Sequence, residues 1–151
     1  MVNNKTMKHY ADENEILELV RSFETGTIRR YAWHHPEHLV VALDYVSEHG
    51  IQTATEKMRS GIFSLLRNAF AVDLAKEMPY HETLTIFWMQ TVAEFNDAKN
   101  GSSLLDKANE VVEKFDKDYP LKFYSRERLF SDEARVVFIN GDLKSQGRFS
   151  D

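Results

Sequence analysis

The chain has 151 residues, 42% of them apolar and 12% aromatic, with 24 acidic against 19 basic side chains and a net charge of −5. That length and composition suit one ordinary domain with a real hydrophobic core and argue against disorder. The acidic balance, with no lysine- or arginine-rich run, points away from nucleic acid. The lack of cysteine removes disulfides, thiolate metal ligands and thiol nucleophiles, and no apolar run approaches the roughly 18 residues of a membrane span. The opening MVNNKTMKHYADENE has no apolar leader, so a cytoplasmic location is expected.

Asp12 followed by Glu15 makes a capping-box pattern, and Ile16, Leu19, Val20 and Phe23 recur on one helical face. A first helix is therefore predicted over 12–25, stopped by Gly26. Pro36 suits the first turn of a second, 36–49, with Leu39, Ala42, Leu43 and Val46 inward and Gly50 as its end. Ile51, Ala54, Met58, Ile62, Leu65, Leu66 and Ala69 carry the period through a third, 51–72, where Gly61 points to a close helix approach. Pro79 opens a fourth, 79–98, with Leu84, Trp88, Val92 and Phe95 inward, and Asn100-Gly101 breaks it. Ser103 with Asp106 caps a fifth bearing Leu105, Ala108, Val112 and Phe115, which Pro120 closes. The alternating charges Glu110, Glu113, Lys114, Asp116 and Lys117 read as its solvated face. Ser131, Asp132 and Glu133 look like a helix start, although VVFI at 136–139 also reads as extended. The expected fold is one all-α domain over 1–151, a bundle of five or six helices with mostly antiparallel neighbours, loose at 1–11 and 141–151.

Histidine concentrates where two of these helices begin. The stretch WHHPEHLVVALDY (33–45) has three histidines close together, and Pro36-Glu37-His38 is matched by Pro79-Tyr80-His81. With each proline first in its helix, each histidine falls third, and His35 falls at an N-cap with His34 outside the helix. In an up-down bundle the second and fourth helices run parallel, so His38 and His81 are expected at the same end of the molecule. The positive end of a helix dipole disfavours imidazolium. A neutral imidazole can ligate a metal, accept a hydrogen bond or act as a general base. Tyr45 shares a helical stripe with His38, and Thr85 and Trp88 share one with His81. Trp33 and Tyr80 stand beside the helix starts, Glu24 and Glu82 offer carboxylates, and Arg29 and Arg30 bring positive charge.

Three readings of these residues stay open. In the first, the histidines cap helices and fill a polar end of the core. In the second, His35, His38 and His81 with Glu82 or Glu24 hold a divalent transition metal, zinc or non-haem iron, without an HExxH or ExxH spacing. In the third, His35, His38, His81 and Arg29 or Arg30 hold a polar or anionic small molecule in a pocket with Tyr45, Tyr80, Thr85 and Trp88. If the site is catalytic, one of His38 and His81 is the general base and the other orients the substrate or binds a metal. The expected function is a His-lined small-molecule pocket at one end of the bundle, with metal assistance open. The alternative is a non-catalytic interaction module acting as a homodimer. No phosphate loop, serine elbow or calcium loop is present.

Together FETGTI (23–28), HHPEHLVVALDYV (34–46) and YHETLTIFW (80–88) resemble a family of small, uncharacterised bacterial helical proteins with the pattern F-x-x-G-x-[IL], H-x-x-H-L, Y-H-x-T-[IL]-T. The resemblance covers about residues 16–95. It implies an all-helical fold and groups His35, His38, His81, Thr83 and Thr85 in one patterned site, and it implies no reaction.

Overall fold

The computed structural model describes residues 9–143. Among them seven α-helices form and no strand: α1 (Glu13–Thr25), α2 (His35–Glu48), α3 (Ile51–Ser64), α4 (Glu82–Ala98), α5 (Leu104–Lys114), α6 (Arg126–Leu129) and α7 (Asp132–Val136). The all-α expectation holds, with α1 to α5 as the full helices and α6 and α7 as single turns. Side-chain oxygens set many of the starts by accepting otherwise orphaned backbone N–H groups. Asp12 accepts from Glu15 at 3.1 Å, Ser103 from Asp106 at 3.0 Å, Ser125 from Arg128 at 3.2 Å and Ser131 from Ala134 at 3.2 Å. Gly26 ends α1 in the left-handed conformation, φ 74°, as its position in the sequence implied.

α2 is the central element. Leu39, Val40, Val41, Ala42 and Leu43 are all buried, so the helix is covered on every side, where the sequence suggested a single inward stripe. It packs on α1, α3, α4 and α5, and most extensively on α4. α2 and α4 run parallel: the His35 ring at the start of one lies 4.8 Å from Trp88 near the start of the other, and Ser47 near the end of α2 donates to Asn96 near the end of α4 at 3.4 Å. α3 runs back between them, its end bonded through Arg59 to Glu82 at the start of α4. Gly61 in α3 abuts the Phe23 ring of α1 so closely that an added Cβ would overlap it, which is the close approach that glycine foretold.

Several boundaries differ from expectation. α3 does not continue to 72. It passes at Leu65–Ala69 into one π turn, with Phe70 N–H donating to Leu65 C=O at 2.7 Å, and Ala71 then turns left-handed at φ 55°. α4 begins at Glu82 and not at Pro79, so 72–81 is an irregular connection. α5 ends at Lys114, ahead of Pro120, which lies in a 3-10 turn at Tyr119–Lys122. Val137 leaves α7 with extended backbone, so both readings of the VVFI segment were partly right.

The expected loose ends are tied down where they are described. Tyr10 is buried, and its backbone exchanges two hydrogen bonds with the Asn109 side chain, at 2.7 and 3.1 Å. Asp142 accepts from the Ser125 N–H and hydroxyl, both at 2.7 Å, and Leu143 N–H donates to Phe123 C=O. The remainder of that expectation, 1–8 and 144–151, lies outside the described residues.

Candidate ligand-binding site

A cavity of about 340 Å³ opens between the N-terminal ends of α2 and α4. Trp33, His35 and His38 line it from the α2 side, and Ile62 and Leu66 from the end of α3. Pro79, Tyr80 and His81 come from the irregular connection, Leu84, Thr85 and Trp88 from α4, and Lys117 from the turn after α5. Six side chains singled out in the sequence as binding candidates therefore share one space: His35, His38, Tyr80, His81, Thr85 and Trp88. Trp33 also forms a wall. It stacks on Phe23 at 4.8 Å and 17° and lies 5.8 Å from the His38 ring. Trp88 is held edge-on to Phe87 and Phe115 within an aromatic cluster.

Other candidates fall elsewhere. Tyr45 is two helical turns beyond His38, about 10 Å along the axis. It faces a separate groove, where its hydroxyl donates to Glu24 at 2.9 Å and the Lys57 amine lies 5.1 Å from its ring. The Phe23–Trp33 stack stands between groove and cavity, since Phe23 lines one and Trp33 the other. Neither Arg29 nor Arg30 lines the cavity, and the Arg30 guanidinium sits over the Phe70 ring at 5.8 Å. The positive charge at the cavity belongs to Lys117, which the sequence placed on a solvated face. The hydrogen bond from His35 Nε2 to Phe115 C=O, 3.0 Å, fastens the end of α5 beside the start of α2. Nothing in the local spacing marks Lys117. Thr83 lies outside the site: its hydroxyl donates to Val137 C=O at 2.9 Å and accepts from Ile139 N–H at 3.2 Å.

The three histidines differ in what they do. His34, not His35, is the N-cap residue of α2, and Glu37 accepts its backbone N–H at 3.0 Å; His35 is the first helical residue. His81 is the N-cap of α4 instead of its third residue. Its Nδ1 accepts the Leu84 N–H at 3.2 Å and its Nε2–H donates to Leu129 C=O at 2.7 Å. That arrangement requires the neutral Nε2–H tautomer and occupies both ring nitrogens. His38 is the opposite case. Its Nε2 is buried and has no hydrogen-bond partner among the described residues.

All three rings are held below the ordinary imidazole range, for His38 and His81 in the direction the sequence suggested. The main cause is burial, where the sequence suggested the helix dipole. For His38 burial acts first and the neighbouring His35 second, which brings its pKa down to about 4. For His35 and His81 burial outweighs the bonds to Phe115 and Leu129 that favour the proton.

The metal expectation does not fit these donors. Among the described residues no group of three histidine, aspartate or glutamate side chains converges as a metal site. His81 has no free ring nitrogen. Glu82 is clamped by Arg59 at 3.0 and 2.7 Å and accepts from the Tyr80 hydroxyl at 2.6 Å. Glu24 stands in the other groove with Tyr45.

Compared with protein-family models, curated proteins and solved structures, the chain matches none.

Proposed function

We propose that the protein binds a small molecule non-covalently in the cavity between the starts of α2 and α4, with His38 as its polar anchor. The observation that carries this is the His38 Nε2 atom, buried and without a hydrogen-bond partner among the described residues, in a side chain that lines the hollow. A buried polar atom without a partner costs about 1–3 kcal/mol, and such an atom marks a place where something else completes the bond. The cavity volume falls at the small end of the roughly 300–1,000 Å³ of small-molecule sites. We assign the protein to the bacterial cytoplasm on the resemblance quoted above. Among the described residues no helix is long and apolar enough to cross a membrane.

Both tryptophans of the chain line the cavity, so the two indole N–H resonances report on it directly. A fragment screen read by those two signals is expected to give ligands that shift both and raise the melting temperature. His38→Phe should abolish the response while the protein stays folded. If no fragment moves either indole, the cavity is a packing fault and the binding reading fails.

A second reading, a non-catalytic module that pairs with another copy of itself, is favoured by the exposure of Phe130, Val136 and Val137 on and beside α6 and α7. Sedimentation equilibrium separates the two, since only this reading requires a mass that rises with concentration.

A further inference from the structure

The polar groups and the charge around the cavity narrow what fits. Three of its polar side chains are already engaged with the protein: His81 by its cap and Leu129, Thr85 by donation to His81 C=O at 3.0 Å, and Tyr80 by donation to Glu82. Not so engaged among the described residues are His38 Nε2, the indole N–H groups of Trp33 and Trp88, and Nδ1 of His35, which is an acceptor because Nε2–H of that ring donates to Phe115.

The charge has one sign. Among the described residues no carboxylate lines the cavity, and Lys117 is the one charged side chain that does. The nearby acids lie behind the lining: Glu82 is paired with Arg59, while Glu37 accepts from the His34 backbone, Asp116 accepts from the Asp118 N–H at 2.9 Å, and both of these still favour the proton on His35. Lys117 is thus the one full charge in contact with the cavity among the described residues, in a protein of net charge −5.

The walls are flat rings. The Trp33 and His38 rings are tilted by 36° and those of Trp88 and His35 by 56°, so two imidazole–indole pairs line the same space, with Tyr80 beside them. Ile62, Leu66, Pro79 and Leu84 close the remainder with apolar surface. Indole and phenol faces favour another ring packed offset or edge-on, by about 0.5–1.5 kcal/mol beyond area burial.

Resting on the binding reading above, we infer that the ligand is a small planar aromatic anion, its ring among the two indoles and its negative group against Lys117. The neutral His38 ring supplies the directional hydrogen bond inside. An organic cation would also favour the indole faces, but Lys117 opposes it.

Four probes test this by titration against the two indole signals: 2-naphthoate, the neutral 2-naphthamide, the cationic 2-naphthylmethylammonium, and the non-aromatic 2-decalincarboxylate. At low salt the naphthoate should bind at least about five-fold tighter than the ammonium, a ratio in keeping with one exposed lysine. The ratio should fall below about two-fold in 0.5 M salt, where the screening length shrinks to a few ångströms. Lys117→Met, a change at an exposed position, should flatten the ratio equally without altering the melting temperature. The decalin acid should bind at least about five-fold more weakly than naphthoate. If the ammonium binds as tightly as the naphthoate, or Lys117→Met leaves the ratio unchanged, the anion is wrong while a binding cavity stands. If the decalin acid matches naphthoate, the aromatic requirement is wrong. If no probe moves either indole, the inference is overturned, and the wider fragment screen then decides whether the cavity binds anything.

Discussion

Acidification interrogates the half-buried His38 ring directly. Burial, aided by His35, holds its pKa at about 4 in the folded protein, against an ordinary 6.5 in the unfolded chain. Between those values the unfolded chain takes up a proton that the folded protein refuses. The stabilising contribution is therefore complete above pH 6.5 and is lost progressively as pH falls towards 4. At 1.36 kcal/mol per pH unit, moving from pH 7 to pH 4.5 removes about 2.5 kcal/mol through His38 alone. His35 and His81 are shifted the same way and add to the loss. Urea unfolding followed by tryptophan emission, at pH 7 and pH 4.5, measures it in the parent and in His38→Leu, which has a similar volume and no titrating group. The loss on acidification should be about 2.5 kcal/mol smaller in the variant, which isolates His38 from every carboxylate that titrates over the same range. The variant should also be no less stable than the parent at pH 7, because it removes an unpaired buried nitrogen. Equal losses in the two proteins would show that the ring is solvated, and the account of the cavity would go with it.

Three further outcomes follow from the packing. Gly61→Ala drives a methyl group into the Phe23 ring, so it should cost about 1–3 kcal/mol. Because Phe23 stacks on Trp33, the emission maximum should also move to the red; unchanged stability and emission would mean that α1 and α3 are not in such close approach. His81→Ala strands the Leu84 N–H and the Leu129 carbonyl and should cost about 2–4 kcal/mol by urea unfolding, whereas His81→Asn keeps an N-cap acceptor and should recover about 1 kcal/mol of that. Identical losses would remove the capping role. Ala71→Gly relieves a left-handed alanine at some entropic cost and should raise stability by about 0.5 kcal/mol, visible as a higher urea midpoint; a lower midpoint would contradict the strain.

The helices were legible because their signals are local. Apolar residues at helical spacing exposed α1 to α5, and the Asp12, Ser103 and Ser131 caps could be read directly. The start of α4 was misplaced because proline at the first turn is a common pattern, while histidine is an uncommon cap. The π turn at Leu65–Ala69 was hidden because Leu65, Leu66 and Ala69 keep an ordinary helical period. The segment after α5 was obscure for another reason. Its order comes from bonds that join distant positions, such as Tyr124 hydroxyl to Ile139 C=O at 2.6 Å and Thr83 hydroxyl to Val137 C=O, and these leave no periodic trace.

The candidate site divides in the same way. Histidine near the starts of two helices, with aromatic residues beside it, was visible as residue order, and the alternation of helix directions was enough to expect both starts at one end. Tertiary packing decided the chemistry. It occupied both nitrogens of His81, left Nε2 of His38 buried and unpaired, placed Tyr45 in another groove, and brought Lys117 to the cavity where Arg29 and Arg30 had been expected. Burial and hydrogen-bond partnership belong to pairs of segments far apart in the chain, and local spacing carries no record of which atoms meet.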